Sequence, residues 1–70
     1  MALIHGVVSA FDEVRGEGVV TSDSGIDFYF HCVALADGTR RIDVGARVVG
    51  ERRVGLTGRD EIAEIYSVGV

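Results

Sequence analysis

Short segments rich in valine, isoleucine, phenylalanine and tyrosine recur along this chain, separated by clusters of glycine, serine, aspartate and arginine. The turn signals fall at residues 12–15, 22–27, 36–41 and 54–60. Glycine occurs ten times and proline not at all, so glycine marks the turns between segments. Strand-forming segments that repeat every 8–12 residues or so are typical of a small β-sandwich or β-barrel.

This pattern predicts five strands. The first three form a meander with short connections, and a longer connection over residues 32–46 leads to the fourth. Residues 59–65 also fit one helical turn, because Ile62 and Ile65 are three residues apart, but the residues that follow favour a closing strand. The predicted strands are Leu3–Phe11, Gly16–Ser22, Asp27–His31, Arg47–Arg53 and Glu61–Val68.

The outline predicts an all-β fold, a five-stranded antiparallel Greek-key barrel of the oligonucleotide-binding (OB) type. A chain this short buries only about 60% of its unfolded surface, and a single cysteine provides no internal disulfide. The core must therefore come from apolar side chains. From the two-residue period of strands, we expect the inward side chains to be Val8, Val20, Phe28, Phe30, Val48 and Ile65.

The charge balance is acidic, with eleven acids, seven bases and a formal net charge of −4. Such a chain has no long-range attraction for phosphates, so nucleic-acid binding would depend on a local patch and on stacking. All seven bases are arginine. Unlike the ammonium group of lysine, the planar guanidinium group makes bidentate hydrogen bonds and stacks on rings, which favours planar contacts. A codon bias toward arginine explains the same composition. Arg40, Arg41, Arg52, Arg53 and Arg59 are interpreted either as a displaced contact area or as solvated surface.

Several classes of function find no support in the residues. Cys32, His5 and His31 are too few for a structural zinc site, and no apolar run reaches the roughly 18 residues of a membrane span. The first residues, MALIHGVVSAF, have no basic start and no long apolar stretch of the kind that targeting segments show. We therefore expect no metal, no cofactor and no membrane association, and the lone free cysteine favours the cytoplasm.

Enzymatic activity is not expected either. His31 and Cys32 are adjacent, but neighbours in a strand point to opposite faces, so they do not form a thiolate–imidazole pair. Asp12 and Glu13 form an acidic pair in a turn, without a further carboxylate placed to make a catalytic dyad. The chain is expected to be a binding module.

The stretch RGEGVV, residues 15–20, places two glycines in the second predicted strand. Glycine within a strand often marks a bend or a close approach of the backbone, and barrel curvature is the interpretation favoured here. A dinucleotide-binding loop would need a third glycine and a following helix, whereas a valine strand follows.

Together with FYFHC, residues 28–32, the stretch RGEGV resembles the two binding motifs of the bacterial cold-shock proteins, which are single domains of about this length. HGVVSAFDEVRGEGVVTSDSGIDFYFH matches the opening half of that family, and LADGTRRIDVGARV and GRDEIAEI match its third loop and last strands. The resemblance implies a single cold-shock-like domain over residues 1–70. It also implies binding of single-stranded RNA or DNA on exposed aromatic rings, to loosen RNA structure or to modulate transcription and translation.

The motifs are degenerate, as in a diverged member. Ala10, Glu17, Val19 and Cys32 stand where the family usually has aromatic side chains. Because stacking contributes about 1–3 kcal/mol per base, we expect weak, salt-sensitive binding. Alternation places on one outer face Arg15, Glu17 and Val19 of the second strand and Tyr29 and His31 of the third, with Phe11 at its edge. Of these, the residues expected to bind are Phe11, Arg15, Val19, Tyr29 and His31.

Alternatives remain at this point. The same barrel is also interpreted as a protein-interaction or dimerisation module that has largely lost nucleic-acid binding, with an exposed edge strand as one route to a homodimer. Glu17 either repels a phosphate or is muted by pairing with Arg15 or with a cross-strand partner. His31 either stacks on a base or simply lies on the sheet.

Overall fold

The structure, a computed structural model, describes residues 3–35, 38, 41–55, 58 and 60–68. In these residues five strands close into a barrel, and none of the helical residues forms a helix long and apolar enough to cross a membrane. The strands are β1 (Leu3–Asp12), β2 (Glu17–Ser22), β3 (Asp27–His31), β4 (Arg47–Val54) and β5 (Asp60–Ser67), and a short 3₁₀-helix, Cys32–Ala34, follows β3.

All five predicted strands are present, and no predicted end is displaced by more than one residue. The helical alternative for residues 59–65 is wrong over its described part, because Ile62 and Ile65 both lie in β5 with buried side chains. Parts of the predicted turns at 36–41 and 54–60 lie outside the described residues.

The strand order around the barrel is β1-β2-β3-β5-β4. Four of the neighbouring pairs are antiparallel, but β3 and β5 pair in parallel through Tyr29 and Glu61. The expectation of a wholly antiparallel barrel is therefore wrong at this pair, since strand direction cannot alternate all the way around a closed ring with an odd number of strands. The predicted all-β, five-stranded barrel is confirmed and agrees with an OB-like barrel, and the Greek-key connection stays a prediction.

The long connection after β3 contributes to the barrel. It begins with the 3₁₀-helix and then sends Leu35 into the core, where Leu35 also forms a parallel bridge with Ile65 of β5. This bridge extends the narrow β3–β5 contact, so the connection helps to close the barrel at its thinnest seam.

The predicted core is confirmed. Val8, Val20, Phe28, Phe30, Val48 and Ile65 expose between 0 and 4% of their surface. Leu35 and Ile62 are buried as well, which the alternation alone did not indicate, and so is Cys32. Burial of each large aliphatic or aromatic side chain contributes about 1.5–3 kcal/mol, so this small set must supply most of the stabilisation.

The two glycines of the RGEGVV stretch have different roles. Gly18 points inward, and a Cβ built there would lie 2.5 Å from Cζ of Phe30 and 2.7 Å from the carbonyl oxygen of Ala10. The expected close approach in the strand therefore holds for Gly18. Gly16 instead precedes β2 in a turn with a φ of 67°, a conformation that favours glycine, so barrel curvature is the wrong reason for it.

We predict that Gly18→Ala lowers the free energy of unfolding by about 1–3 kcal/mol, because the added methyl group overpacks the barrel against the Phe30 ring. Urea unfolding monitored by circular dichroism measures this loss. In a Phe30→Leu background the same substitution should cost less, since the ring edge that it meets has been removed. An equal cost in both backgrounds would show that the Phe30 contact is not the cause.

Candidate nucleic-acid interface

The outward side of β1, β2 and β3 carries two cross-strand rows of side chains. In one row Ala10 lies opposite Val19, which lies opposite Tyr29. Directly opposed residues of antiparallel strands have Cβ atoms about 4.5–5.5 Å apart, so the members of each row adjoin one another. In the next row Asp12, Glu17 and His31 are opposed in the same way. We call this surface the β1–β3 face, made of Ala10, Asp12, Glu17, Val19, Tyr29 and His31.

A β-bulge decides which side chains of β1 reach this face. Val8 pairs with Val20 and Ala10 pairs with Val19, so Ser9 is an extra residue on β1. Such an insertion reverses the alternation of the strand beyond it. Val8 therefore points inward, whereas the bulge turns Ala10 and Asp12 outward, and both are exposed.

The expected position of Phe11 is wrong because of the same bulge. It was expected at the edge of the outer face, but it belongs to the inward row in which Phe11, Gly18 and Phe30 are opposed. Its ring stacks on Phe30 with centroids 5.9 Å apart and planes inclined by 6°. The ring is only partly buried and packs against the edge of the core.

A shallow, mostly apolar depression lies where the two rows meet, with a volume of about 270 Å³. Its wall combines the half-buried ring of Tyr29 with the partly buried ring of Phe11. This hollow is slightly below the roughly 300–1,000 Å³ of pockets for drug-sized ligands, and it is open to solvent on the outer side of the barrel. Its lining residues are Ala10, Phe11, Asp12, Glu17, Gly18, Val19 and Tyr29.

The register predicted for β3 is confirmed. Phe28 and Phe30 are buried, while Tyr29 is half-buried in the outward row and His31 is exposed. Val19 is half-buried between Ala10 and Tyr29, as its predicted place on the outer side requires. Three of the five predicted site residues, Val19, Tyr29 and His31, thus share one surface.

His31 also caps the 3₁₀-helix, which the strand pattern did not indicate. Its Nδ1 accepts a hydrogen bond from the backbone N–H of Val33 at 3.4 Å. The expectation that His31 and Cys32 diverge is wrong, since Nδ1 lies 3.8 Å from Sγ of Cys32. Strand alternation ends at His31, and Cys32 begins the helix with a buried thiol.

Arg15 was expected on β2, but it lies in the turn between β1 and β2. Oδ1 of Asp12 accepts hydrogen bonds from the backbone N–H groups of Val14 and Arg15, at 3.0 and 3.2 Å, and so stabilises this turn. The Arg15 side chain is exposed next to the β1–β3 face.

Most described arginines are engaged with acids on the surface. The ion pairs are Arg41–Glu13 at 2.9 Å, Arg47–Asp23 at 2.6 Å, Arg52–Asp60 at 3.0 Å and Arg53–Glu51 at 3.6 Å. Among the described arginines, only Arg15 is left out of an ion pair, and Arg40 and Arg59 lie outside the described residues. The other described arginines thus have their charge partly neutralised.

Glu17 takes the central place in its row and is half-buried. Of the two alternatives for Glu17, pairing with Arg15 or a cross-strand partner is not found: over the described parts of the chain, the Glu17 carboxylate has no ion pair and no side-chain hydrogen bond. Its negative charge therefore lies at the depression, and no cation among the described residues is paired with it.

No protein-family model matches this chain, and a search of curated proteins finds no match. Within residues 3–35, 38, 41–55, 58 and 60–68, no group of three His, Cys, Asp or Glu side chains is placed to hold a metal ion. The fold defines the class, a small closed β-barrel, and its β1–β3 face carries a mostly apolar depression. The cold-shock resemblance stays a prediction from the motifs.

We predict that Cys32 is chemically inert in the folded protein, because only 9% of the residue is exposed. Labelling with a soluble aromatic disulfide reagent should be at least about 100-fold slower in buffer than in urea. That ratio needs only a few kcal/mol of protection, which even a marginal domain provides. Prompt stoichiometric labelling in buffer would contradict the inertness of Cys32 and would make the His31–Cys32 pair a candidate reactive site.

Proposed function

We propose that this protein is a diverged cold-shock domain that binds single-stranded RNA or DNA on the β1–β3 face, in the cytoplasm. One observation carries the proposal. The Tyr29 ring lies in the outward row beside an apolar depression, while the neighbouring Phe28 and Phe30 rings fill the core. A base stacks on Tyr29 over the exposed part of Phe11, and His31 borders the same surface.

The physical basis is stacking. Every nucleobase has a π-face, and stacking on an aromatic side chain contributes about 1–3 kcal/mol per base regardless of sequence. The depression is apolar and open along the sheet, which suits planar rings on a continuous strand. Arg15, exposed beside the face and outside the described ion pairs, is the side chain best placed to contact a phosphate.

Binding is expected to be weak and to fall with salt. The face has few rings, the chain carries a net charge of −4, and Glu17 adds a negative charge at the depression that no described residue pairs with. Neutralising a phosphate releases counterions, and added salt opposes that release. Because the phosphate contacts on this face are few, binding that is already weak at low salt is expected to fade by 0.2 M salt.

We predict that Tyr29→Ala weakens binding of a mixed-sequence heptanucleotide by roughly 5- to 150-fold, the range that loss of one stacked base covers. Tyr66→Ala is the matched control, since it removes the same ring from β5, where Tyr66 is 59% exposed opposite Val49 of β4. Fluorescence anisotropy at low salt and at 0.2 M salt gives the dissociation constants.

Tyr66→Ala should leave these constants unchanged. Heteronuclear NMR should show shifts confined to β1, β2 and β3 that fade with salt. Equal loss of affinity in both tyrosine variants, or unchanged affinity in Tyr29→Ala, would remove the β1–β3 face as the binding surface.

A second candidate, a protein-interaction surface, is favoured by exposed apolar side chains on the other side of the barrel. Leu3 and Tyr66, 60% and 59% exposed, line a mostly apolar hollow of about 330 Å³ together with Val49. The strand-addition route is not favoured, because closure of the barrel gives every strand two neighbours.

If this second surface joins two copies, sedimentation velocity should show a dimer at high protein concentration. Tyr66→Glu should return it to a monomer, because a charge would be buried at the centre of the contact. A monomer at every concentration, together with oligonucleotide binding on the opposite face, would exclude the homodimer.

A further inference from the structure

We infer that Glu17 makes the β1–β3 face selective for guanine and against thymine or uracil. The inference rests on the proposed function, because it assigns a base preference to the same depression. It reverses the simplest interpretation of this residue, in which an acid on a nucleic-acid surface only repels.

Glu17 lines the depression together with Phe11 and Tyr29, the two side chains on which a base stacks. It is half-buried, and its carboxylate has no ion pair among the described residues. Its oxygen atoms therefore remain available to a bound base, and partial burial strengthens any hydrogen bond formed there.

The other two polar side chains of the same row each already use one atom in a hydrogen bond. Oδ1 of Asp12 accepts from the backbone N–H groups of Val14 and Arg15 and stabilises the turn. Nδ1 of His31 accepts from the N–H of Val33. Glu17 is thus the member of the row with no described hydrogen bond, and it is the one that meets the edge of a stacked base.

A carboxylate accepts hydrogen bonds and donates none. The Watson–Crick edge of guanine presents two adjacent donors, N1–H and the N2 amino group, which match the two carboxylate oxygens in a bidentate contact. Cytosine and adenine present one amino group beside an acceptor nitrogen. Thymine and uracil present a single N3–H between two carbonyl oxygens, both of which are repelled by the carboxylate.

The negative charge of Glu17 opposes the phosphate backbone of every sequence to a similar degree. Only a base with matching donors offsets this cost, so the carboxylate discriminates by penalising the wrong bases as well as by holding the right one. The same residue thus lowers general affinity and creates a preference.

The test compares heptadeoxynucleotides in fluorescence anisotropy at low salt. One is all thymidine, and the others carry a central guanosine, cytidine or inosine. The guanosine heptamer should bind the unaltered protein about tenfold more tightly than the thymidine heptamer, within the range of bidentate base contacts. Inosine should lose most of this gain, because it keeps N1–H but lacks the N2 amino group.

Glu17→Gln is the informative variant, since it keeps the shape while its amide both donates and accepts. It should bring guanosine and thymidine heptamers to within about twofold of each other, mainly by tightening the thymidine complex. Glu64→Gln is the matched control, because it removes the same charge from an exposed position on β5. It should preserve the tenfold preference.

Equal affinity of the unaltered protein for all four heptamers, with Glu17→Gln shifting them equally, would overturn the guanine preference and leave the proposed function standing. No binding of any heptamer to the folded protein at low salt would overturn the proposed function itself. The two failures are therefore distinguishable in one set of titrations.

Discussion

The Phe30 ring determines the shape of this barrel and of its outer face. It lies under Gly18, whose missing side chain leaves room for it, and it stacks on Phe11 of the neighbouring strand. Because Phe30 and Phe28 are held inside, Tyr29 between them must point outward. Because Phe11 rests on Phe30, its ring stays at the surface of the depression. The core contact and the candidate site therefore lie on the inner and outer sides of the same three strands.

The alternation of apolar residues predicted the strands and the six core side chains, because a half-buried strand has a period of two that local sequence shows directly. The wrong predictions concern features that depend on pairing between residues far apart in the sequence. Ser9 is an inserted residue only relative to β2, so no feature of β1 alone indicates the bulge that turned Phe11 inward. The parallel β3–β5 pair follows from closing an odd-numbered ring, and the 3₁₀-helix ends the alternation that was expected to separate His31 from Cys32.

The charges of this barrel provide little attraction for a polyanion, so binding at the candidate site would depend on stacking. The described ion pairs of Arg41, Arg47, Arg52 and Arg53 are exposed, and such pairs contribute little to stability, at most about 1 kcal/mol each. Their larger effect is to offset positive charge that would otherwise attract a polyanion. With Arg15 as the described exception, the long-range field of this acidic barrel does not draw nucleic acid to it. In the proposed function, affinity therefore comes from short-range contacts on the β1–β3 face.

Under the proposed cold-shock assignment a carboxylate stands where an aromatic ring is usual, and this exchange does not have to end binding. Stacking of a base is worth about 1–3 kcal/mol, and a bidentate contact to a base edge discriminates by about the same amount. An aromatic ring stacks on every base to a similar degree. A carboxylate next to Tyr29 offsets the missing stacking energy only for a base that presents two hydrogen-bond donors. In the proposed guanine preference, Glu17 therefore lowers affinity for all sequences and gives a preference among them. The partial burial of Glu17 matters here, since in a fully hydrated position water would satisfy the carboxylate equally well and the preference would disappear.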